Sequence, residues 1–251
     1  QSGNSNNFTV GGGTLTKTED NPSNVFCTFN RNVTQTAGTS GRDSSCSPSM
    51  DYGNTRVGEG SAVFNPQVGT IFANSGKYYF EVKGGGDNYQ SVGICNPNFT
   101  DASLGSAQGM STATNSNSIG MYGSGGQVRK NGTQIYVGST FASQIVCVAM
   151  DLDNHFFYIR LDDGSWLNSG DPTSGATGTG GVSITPDFYT FGVTTHNNGG
   201  SGRNYMSANF GNGYFGTTAV ASAGTNASGN GIFEYDVPTG YTALSTKGLN
   251  L

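Results

Sequence analysis

The sequence predicts an all-β fold, either a sandwich or a barrel of short antiparallel strands. Many short apolar runs follow the two-residue period of strands, glycine-rich turns separate them, and no window has the periodicity of an amphipathic helix. Glycine supplies 41 of the 251 residues, about twice its usual share. We expect one domain over 1–251, with 1–70 as strands and loops that pack on the core 71–251.

The predicted strands differ in how many of their faces are apolar. In 76–83, every second residue is apolar, and the positions between them include Glu81 and Lys83. This alternation predicts a strand with one buried and one exposed face. The run 144–150 is apolar on both parities, which predicts a central strand covered on both faces. Further strands are predicted at 89–95, 118–123, 155–161, 187–195 and 204–211.

Turn residues separate these strands. Asn131-Gly132 is a strong hairpin signal, because both residues tolerate the positive φ of a type I′ turn, and Asp163-Gly164 has a similar part. Longer stretches rich in Gly, Ser, Thr and Asn predict loops at 36–50, 96–118, 168–182, 196–203 and 216–231.

The carboxylates around 151–154 have two interpretations. Asp151 and Asp153 match a D-x-D metal or nucleotide-sugar motif, or they are the end of a strand and its turn. A carboxylate metal site needs several oxygens that converge, and no further acids lie nearby on that side. We favour the turn and predict no metal site.

The sequence offers no catalytic constellation. Its serines lack a G-x-S-x-G elbow, and its glutamates form no facing pair of the kind that glycosidases use. A lone loop histidine such as His196 is more often solvated than catalytic. We therefore expect no enzyme activity, no catalytic residue and no cofactor.

Charge and hydropathy restrict the partners. Charged residues are 11% of the chain, against about 25% in a typical domain, and the net charge is −5. The basic residues are scattered, so we expect no nucleic acid partner. No apolar stretch approaches the roughly 20 residues of a membrane span. Because the chain starts at Gln1 without Met, we expect a processed product or a fragment.

The four cysteines do not form a disulfide framework. Cys95 and Cys147 lie inside strand-like runs, where a free cysteine behaves as a small apolar residue, so we expect both to be buried thiols. Cys27 and Cys46 either pair or stay free, and the sequence leaves this open.

Several runs, in their order, resemble a SPRY domain. They are "SGKYYFEVK", "QSVGICNP", "IGMYGSGGQVRKNGTQI", "QIVCVAMDLDNHFFYIRLDDGSWLNSGDPTSG" and "YMSANFG". More narrowly, the chain resembles the SPRY-like modules of tailed bacteriophage structural proteins, through an opening "NNFTV…DNPSNVFCTFN" and a closing "FEYDVPTGYTALSTKGLN". The resemblance spans about 8 to 250. Its most specific pieces are "SWLNSGDP" and the closing block, and it departs from the family at 216–231, an apparent insertion.

This resemblance implies a bent sandwich of two antiparallel sheets that binds rather than catalyses, with Trp166 in the framework rather than in a ligand site. It implies a virion structural or binding protein, a capsid or tail appendage with host attachment as one role. The partners would be other virion proteins, copies of the chain, or a host-surface glycan or protein. The alternatives are a lectin-like carbohydrate-binding module or a subunit of an extracellular filament, secreted or on a cell surface.

The resemblance places the contact surface on loops at one end of the sandwich. Sugar sites usually stack an aromatic ring under the pyranose, and two tyrosines with a polar rim are the exposed candidates. The candidate binding residues are Asp87, Tyr89, Tyr122, His196, Asn197 and Asn198.

The insertion 216–231 contains almost only small neutral residues. It buries little apolar surface, and ordering it costs about 1–2 kcal/mol per residue. We expect a neighbouring subunit to hold this segment, so that the protein works as a multimer or on a larger assembly. The alternative is packing against the same sandwich through Val220.

Overall fold

A computed structural model describes residues 23–30, 49–60, 64–99, 109–111, 118–198 and 202–250. Within them the chain is an all-β sandwich of two antiparallel sheets, as predicted, with a small added hairpin. Cys46, the opening motif up to residue 22 and most of the predicted loops 36–50 and 96–118 lie outside these residues. Short 3₁₀ segments occur at Gly109–Ser111, Ser124–Gly126, Leu167–Ser169, Gly175–Thr177 and Gly248–Asn250. None of the helical segments that the structure describes has the length and apolarity to cross a bilayer.

The larger sheet has eight strands. In sheet order they are β1 (Ser49–Asp51), β2 (Arg56–Glu59), β13 (Asn204–Asn209), β4 (Lys77–Lys83), β9 (Ile145–Asp151), β10 (Phe156–Leu161) and β11 (Val182–Ser183). The eighth, β16 (Thr242–Ala243), pairs in parallel with the start of β4. Because β13 pairs only with the end of β4, β16 continues the same side of that strand.

The smaller sheet has six strands. In sheet order they are β3 (Asn65–Val68), β12 (Thr190–Thr195), β5 (Ser91–Cys95), β6 (Ser118–Tyr122), β7 (Gln127–Lys130) and β8 (Thr133–Val137). Strands β7 and β8 meet at the predicted turn, where Asn131 and Gly132 have φ of 52° and 75°. The added hairpin pairs β14 (Tyr214–Phe215) with β15 (Thr218–Ala219).

Aromatic side chains join the two sheets. The ring of Phe80 on β4 stacks on Phe191 of β12 with centroids 4.1 Å apart, and lies 5.6 Å from Phe210. Phe80 pairs across the sheet with Val148 of β9, so the same inner face continues from β4 to β9. Large offset-stacked aromatics bury much apolar area, which places the core of the sandwich here.

Strand β4 differs from the prediction, because its outer face is also buried. Tyr79 and Glu81 both have no exposed surface. Residues 232–241, the C-terminal strap, lie across this face, where the ring of Phe233 meets Tyr79 edge-on at 4.9 Å. The strap also explains why β9 is covered on both faces, as its apolar sequence predicted.

The insertion 216–231 is held by its own chain. The N–H of Gly224 donates to the carbonyl of Phe233 at 2.9 Å, and that of Ala221 donates to the Glu234 carboxylate at 2.7 Å. Asn230 is fully buried and donates to the Thr242 hydroxyl at 2.9 Å. The segment therefore packs against the same sandwich, through hydrogen bonds to the strap and β16, and the Val220 N–H donates to the Gly213 carbonyl at 3.0 Å.

Candidate binding site

The carboxylates at the end of β9 form a turn, as favoured from the sequence. The buried carboxylate of Asp151 lies 2.9 Å from Nζ of Lys77 and accepts the Asn154 N–H at 2.9 Å. Asp153 accepts the N–H of Gly76 at 2.7 Å, which ties the turn to the start of β4. Among the residues that the structure describes, no group of three or more His, Cys, Asp or Glu is arranged around a common metal position.

A cleft of about 410 Å³ opens between the loop that follows β4 and the loop that joins β12 to β13. We call it the loop-rim cleft. The predicted residues Asp87, Tyr89, Asn197 and Asn198 line it. Sequence reasoning missed other residues of its wall, because nothing in their local pattern marks them: Gly85, Gly86, Asn88, Gly202, Arg203 and Asn204.

Asp87 connects the two loops that form the cleft. One of its carboxylate oxygens accepts the Tyr89 N–H at 2.7 Å. The other accepts the Asn198 N–H at 2.8 Å and lies 3.4 Å from Nδ1 of His196. The carboxylate of Asp87 therefore orders the cleft, with hydrogen bonds on both oxygens.

Tyr122 and His196 lie beneath the cleft and do not form its exposed rim, which corrects the prediction. Tyr122 is only 4% exposed, because it ends β6 between two neighbouring strands, and burial raises its pKa to about 12. His196 is 6% exposed and its ring lies 5.1 Å from that of Tyr89. The centroids of Tyr89 and Tyr122 are 6.2 Å apart. Both buried rings thus support Tyr89, whose side chain is exposed.

Backbone contacts fix the shape of the cleft. The Asn197 side chain donates to the carbonyls of Gly60 at 3.2 Å and Gly202 at 2.6 Å. At Gly85, a Cβ would lie 2.0 Å from the carbonyl oxygen of Tyr205, so only glycine fits there. The result is a preformed polar cleft beside one exposed aromatic ring.

A buried polar cluster on the outer face of the larger sheet was not predicted. Cross-strand pairing sets Glu81, Cys147 and Arg160 side by side on β4, β9 and β10. Glu81 accepts hydrogen bonds from the N–H groups of Glu234 and Tyr235 in the strap, at 2.8 and 2.9 Å. No local pattern predicts this cluster, because its members meet only through strand register.

Burial dominates the protonation of this cluster. It raises the pKa of the Glu81 carboxyl from 4.5 to about 7, although the two strap N–H groups act in the opposite direction. Burial also raises the pKa of the Cys147 thiol to about 12, and the charge of Glu81 adds to this. A protonated thiol is a poor nucleophile, so Cys147 lacks the character of a reactive cysteine.

The other described cysteines are also buried. Cys95 and Cys147 are free thiols with no exposed surface, which confirms their predicted placement in strands, and burial raises the pKa of Cys95 as well. Cys27 is a free, buried thiol in the described residues. Cys46, the second cysteine of the pair that the sequence left open, lies outside them.

No family model matches this chain, and no curated protein matches it either. Among solved structures, it is similar to the SPRY domain of human HERC1, with 12% identity, coverage of 67% of this chain and 96% of that one, and a TM-score of 0.47. It is also similar to the PSpry domain of TRIM65, with 11% identity, coverage of 73% and 91%, and a TM-score of 0.46. These similarities concern the fold alone, and the sandwich itself rests on the strand pairing described above.

Proposed function

We propose that this chain is a non-enzymatic structural and binding protein of a virion, which contacts a partner protein through the loop-rim cleft. One observation carries the proposal. Two segments that are far apart in the sequence, one with Asp87 and Tyr89 and one with Asn197 and Asn198, line one preformed cleft. A concave site with a few convergent polar groups beside an aromatic side chain is the usual form of a recognition site.

The virion role has two supports. The sequence resembles the SPRY-like modules of tailed bacteriophage structural proteins, with "SWLNSGDP" and the closing block as its most specific pieces. Its composition is low in charge, at 11%, so amides and hydroxyls supply most of its polarity. The partners that we propose are other virion proteins or copies of this chain, on a capsid or tail.

The binding role is favoured over catalysis by the way the polar groups of the cleft are used. Asp87 already accepts hydrogen bonds on both carboxylate oxygens, and His196 is buried under Tyr89. A general base must reach the proton that it abstracts. These two groups instead hold the two loops together.

Localisation on a particle can be tested directly. We expect an antibody against the chain to label purified particles from its source culture in electron micrographs, and mass spectrometry of those particles to contain its peptides. Particles that are free of the chain, with the protein recovered only in the unassembled fraction, would refute the virion role.

The contact surface is tested by reattachment of labelled protein to particles that lack the chain. Tyr89→Ala removes the exposed ring at the cleft and should weaken attachment about tenfold or more, as at an interface hot spot. Phe188→Ala is the matched control, because Phe188 is an exposed aromatic that precedes β12, whereas the cleft lies after that strand. Equal attachment of the two variants would place the contact elsewhere.

A further inference from the structure

A second cleft, also of about 410 Å³, lies at the C-terminal strap. We call it the strap cleft. Most of its lining comes from the two segments that are most specific in the sequence, "SWLNSGDP" at 165–172 and the closing block from 233, and Arg160, Thr173 and Thr225 complete it. The side chains used below are Arg160, Trp166, Asp171, Thr173, Thr225 and Asp236.

The strap cleft contains the single tryptophan of the chain, Trp166. This side chain is half-buried, and the guanidinium of Arg160 lies 5.0 Å from its ring centroid. Arg160 donates to the carbonyl of Asp236 at 2.9 Å, while its buried Nε has no hydrogen-bond partner within the described residues. An aromatic surface therefore lies beside a cation that the strap holds in place.

Two carboxylates of this cleft are held in the same way. One oxygen of Asp171 accepts both the N–H and the hydroxyl of Thr173, at 2.8 and 2.6 Å. One oxygen of Asp236 accepts both the N–H and the hydroxyl of Thr225, at 2.6 and 2.8 Å. These hydrogen bonds lower the pKa of both carboxyls, so both are ionised at neutral pH. Within the described part of the chain, the second oxygen of each carboxylate accepts no hydrogen bond.

We propose that the strap cleft binds a neutral saccharide. Carboxylates accept hydrogen bonds from sugar hydroxyls, a guanidinium donates to them, and an indole offers an apolar surface to a pyranose ring. A small cation would meet Arg160, and a small anion would meet Asp171 and Asp236. A neutral ring with hydroxyls that both donate and accept fits all three groups. This inference concerns the lectin-like alternative and does not depend on the partner at the loop-rim cleft.

Trp166 makes the proposal directly testable, because the only indole of the chain lies in the cleft. We expect tryptophan fluorescence to change in a saturable way when the protein is titrated with at least one of lactose, maltose, cellobiose, chitobiose or mannobiose. No saturable change with any of these sugars would overturn the proposal. So would a saturable change with arginine amide alone, which would identify a cation site.

Variants then locate the sugar. The double change Asp171→Asn and Asp236→Asn keeps an acceptor for each threonine but removes both charges, and should raise the Kd about tenfold or more. Asp187→Asn is the control and should leave the Kd unchanged, because Asp187 accepts the N–H of Phe188 and does not line the strap cleft. Circular dichroism checks that each variant is folded.

The same titration separates this inference from the proposed function. Tyr89→Ala should leave sugar binding unchanged, whatever its effect on attachment to particles. If Tyr89→Ala abolishes sugar binding while the double asparagine variant retains it, the sugar occupies the loop-rim cleft and the strap cleft is refuted.

Discussion

Raising the pH through neutrality should lower the stability of this protein through one carboxyl group, that of Glu81. Glu81 has no exposed surface, because it lies on β4 beside Cys147 of β9 and is covered by the strap. It accepts hydrogen bonds from two strap N–H groups, from the Tyr79 hydroxyl at 3.0 Å and from the Asn209 amide at 3.2 Å. Even with these donors, the loss of solvation on burial is the larger effect, so the protonated form is favoured.

The pKa of Glu81 sets the size and direction of the effect. Its folded pKa of about 7 lies above the ordinary value of 4.5, so the folded state holds a proton that the unfolded state releases over this interval. The stabilisation is complete below pH 4.5 and is lost as the pH rises through about 7. Because one pKa unit is worth about 1.4 kcal/mol, the total loss is about 3 kcal/mol.

The assay is urea unfolding across this pH interval, with the wild-type protein and Glu81→Gln. Glutamine stays neutral at every pH, so the difference in unfolding free energy between the two proteins should change by about 3 kcal/mol. The amide NH₂ group faces donors in this site and costs about 1–3 kcal/mol at all pH values. The measured quantity is therefore the pH slope, and not the stability at one pH.

Glu234→Gln is the matched control, because it removes a carboxylate from the strap and leaves Glu81 in place. This control should keep the wild-type slope. The reasoning is refuted if Glu81→Gln also keeps that slope, or if wild-type stability rises relative to this variant between pH 4.5 and 7. Asp171 and Asp236 do not affect this comparison. Their pKa values are lowered from 3.8, so any change of stability that they cause with pH occurs below pH 3.8.

Three further experiments test the packing of the larger sheet and the insertion. In the native protein Cys147 should resist thiol reagents and react only after unfolding, because it is buried with a pKa of about 12; rapid native labelling, followed by mass spectrometry, would contradict this. Lys77→Met leaves the carboxylate of Asp151 buried and unpaired and should cost about 3–5 kcal/mol in urea unfolding, whereas Arg56→Met at a more exposed ion pair should cost no more than about 1–2 kcal/mol. Equal losses of stability in the two variants would show that burial of the ion pair does not determine its contribution. Asn230→Ala removes a buried amide that joins the insertion to β16 and should lower stability by about 1–3 kcal/mol in thermal unfolding, while an unchanged midpoint would show that the insertion is held in another way.

Local patterns were enough to predict the longer strands of the two sheets, but not the short strands or what covers the sheets. The apolar parities of 144–150 and the Asn131-Gly132 turn act over a few residues, so β9 and the β7–β8 hairpin follow from sequence alone. The outer face of β4 was misjudged, because the strap that covers it lies about 150 residues away, from Glu81 to Glu234. The same limit applies to Tyr122, whose burial depends on the strands beside β6.

The position of four candidate residues around one cleft was easier to predict than the exposure of each side chain. A loop rim at one end of a sandwich restricts the choice to a few segments, and Asp87, Tyr89, Asn197 and Asn198 do meet there. Sequence cannot tell which of them points out and which is used internally, because that depends on hydrogen bonds between loops. Asp87 illustrates this, since both of its carboxylate oxygens accept hydrogen bonds from the neighbouring loops.

The strap lies over Glu81 of β4 for a physical reason, which is the need of its buried N–H groups for acceptors. A segment laid across the face of a sheet cannot pair its N–H groups with the strands below, and each buried, unpaired N–H costs about 1–3 kcal/mol. Glu81 offers one carboxylate oxygen to each of the two N–H groups of Glu234 and Tyr235. An apolar residue at this position would remove the desolvated carboxyl but leave both donors unsatisfied. The buried glutamate thus destabilises the protein locally, but it allows the strap to cover the outer face of β4. The same strap forms one wall of the strap cleft.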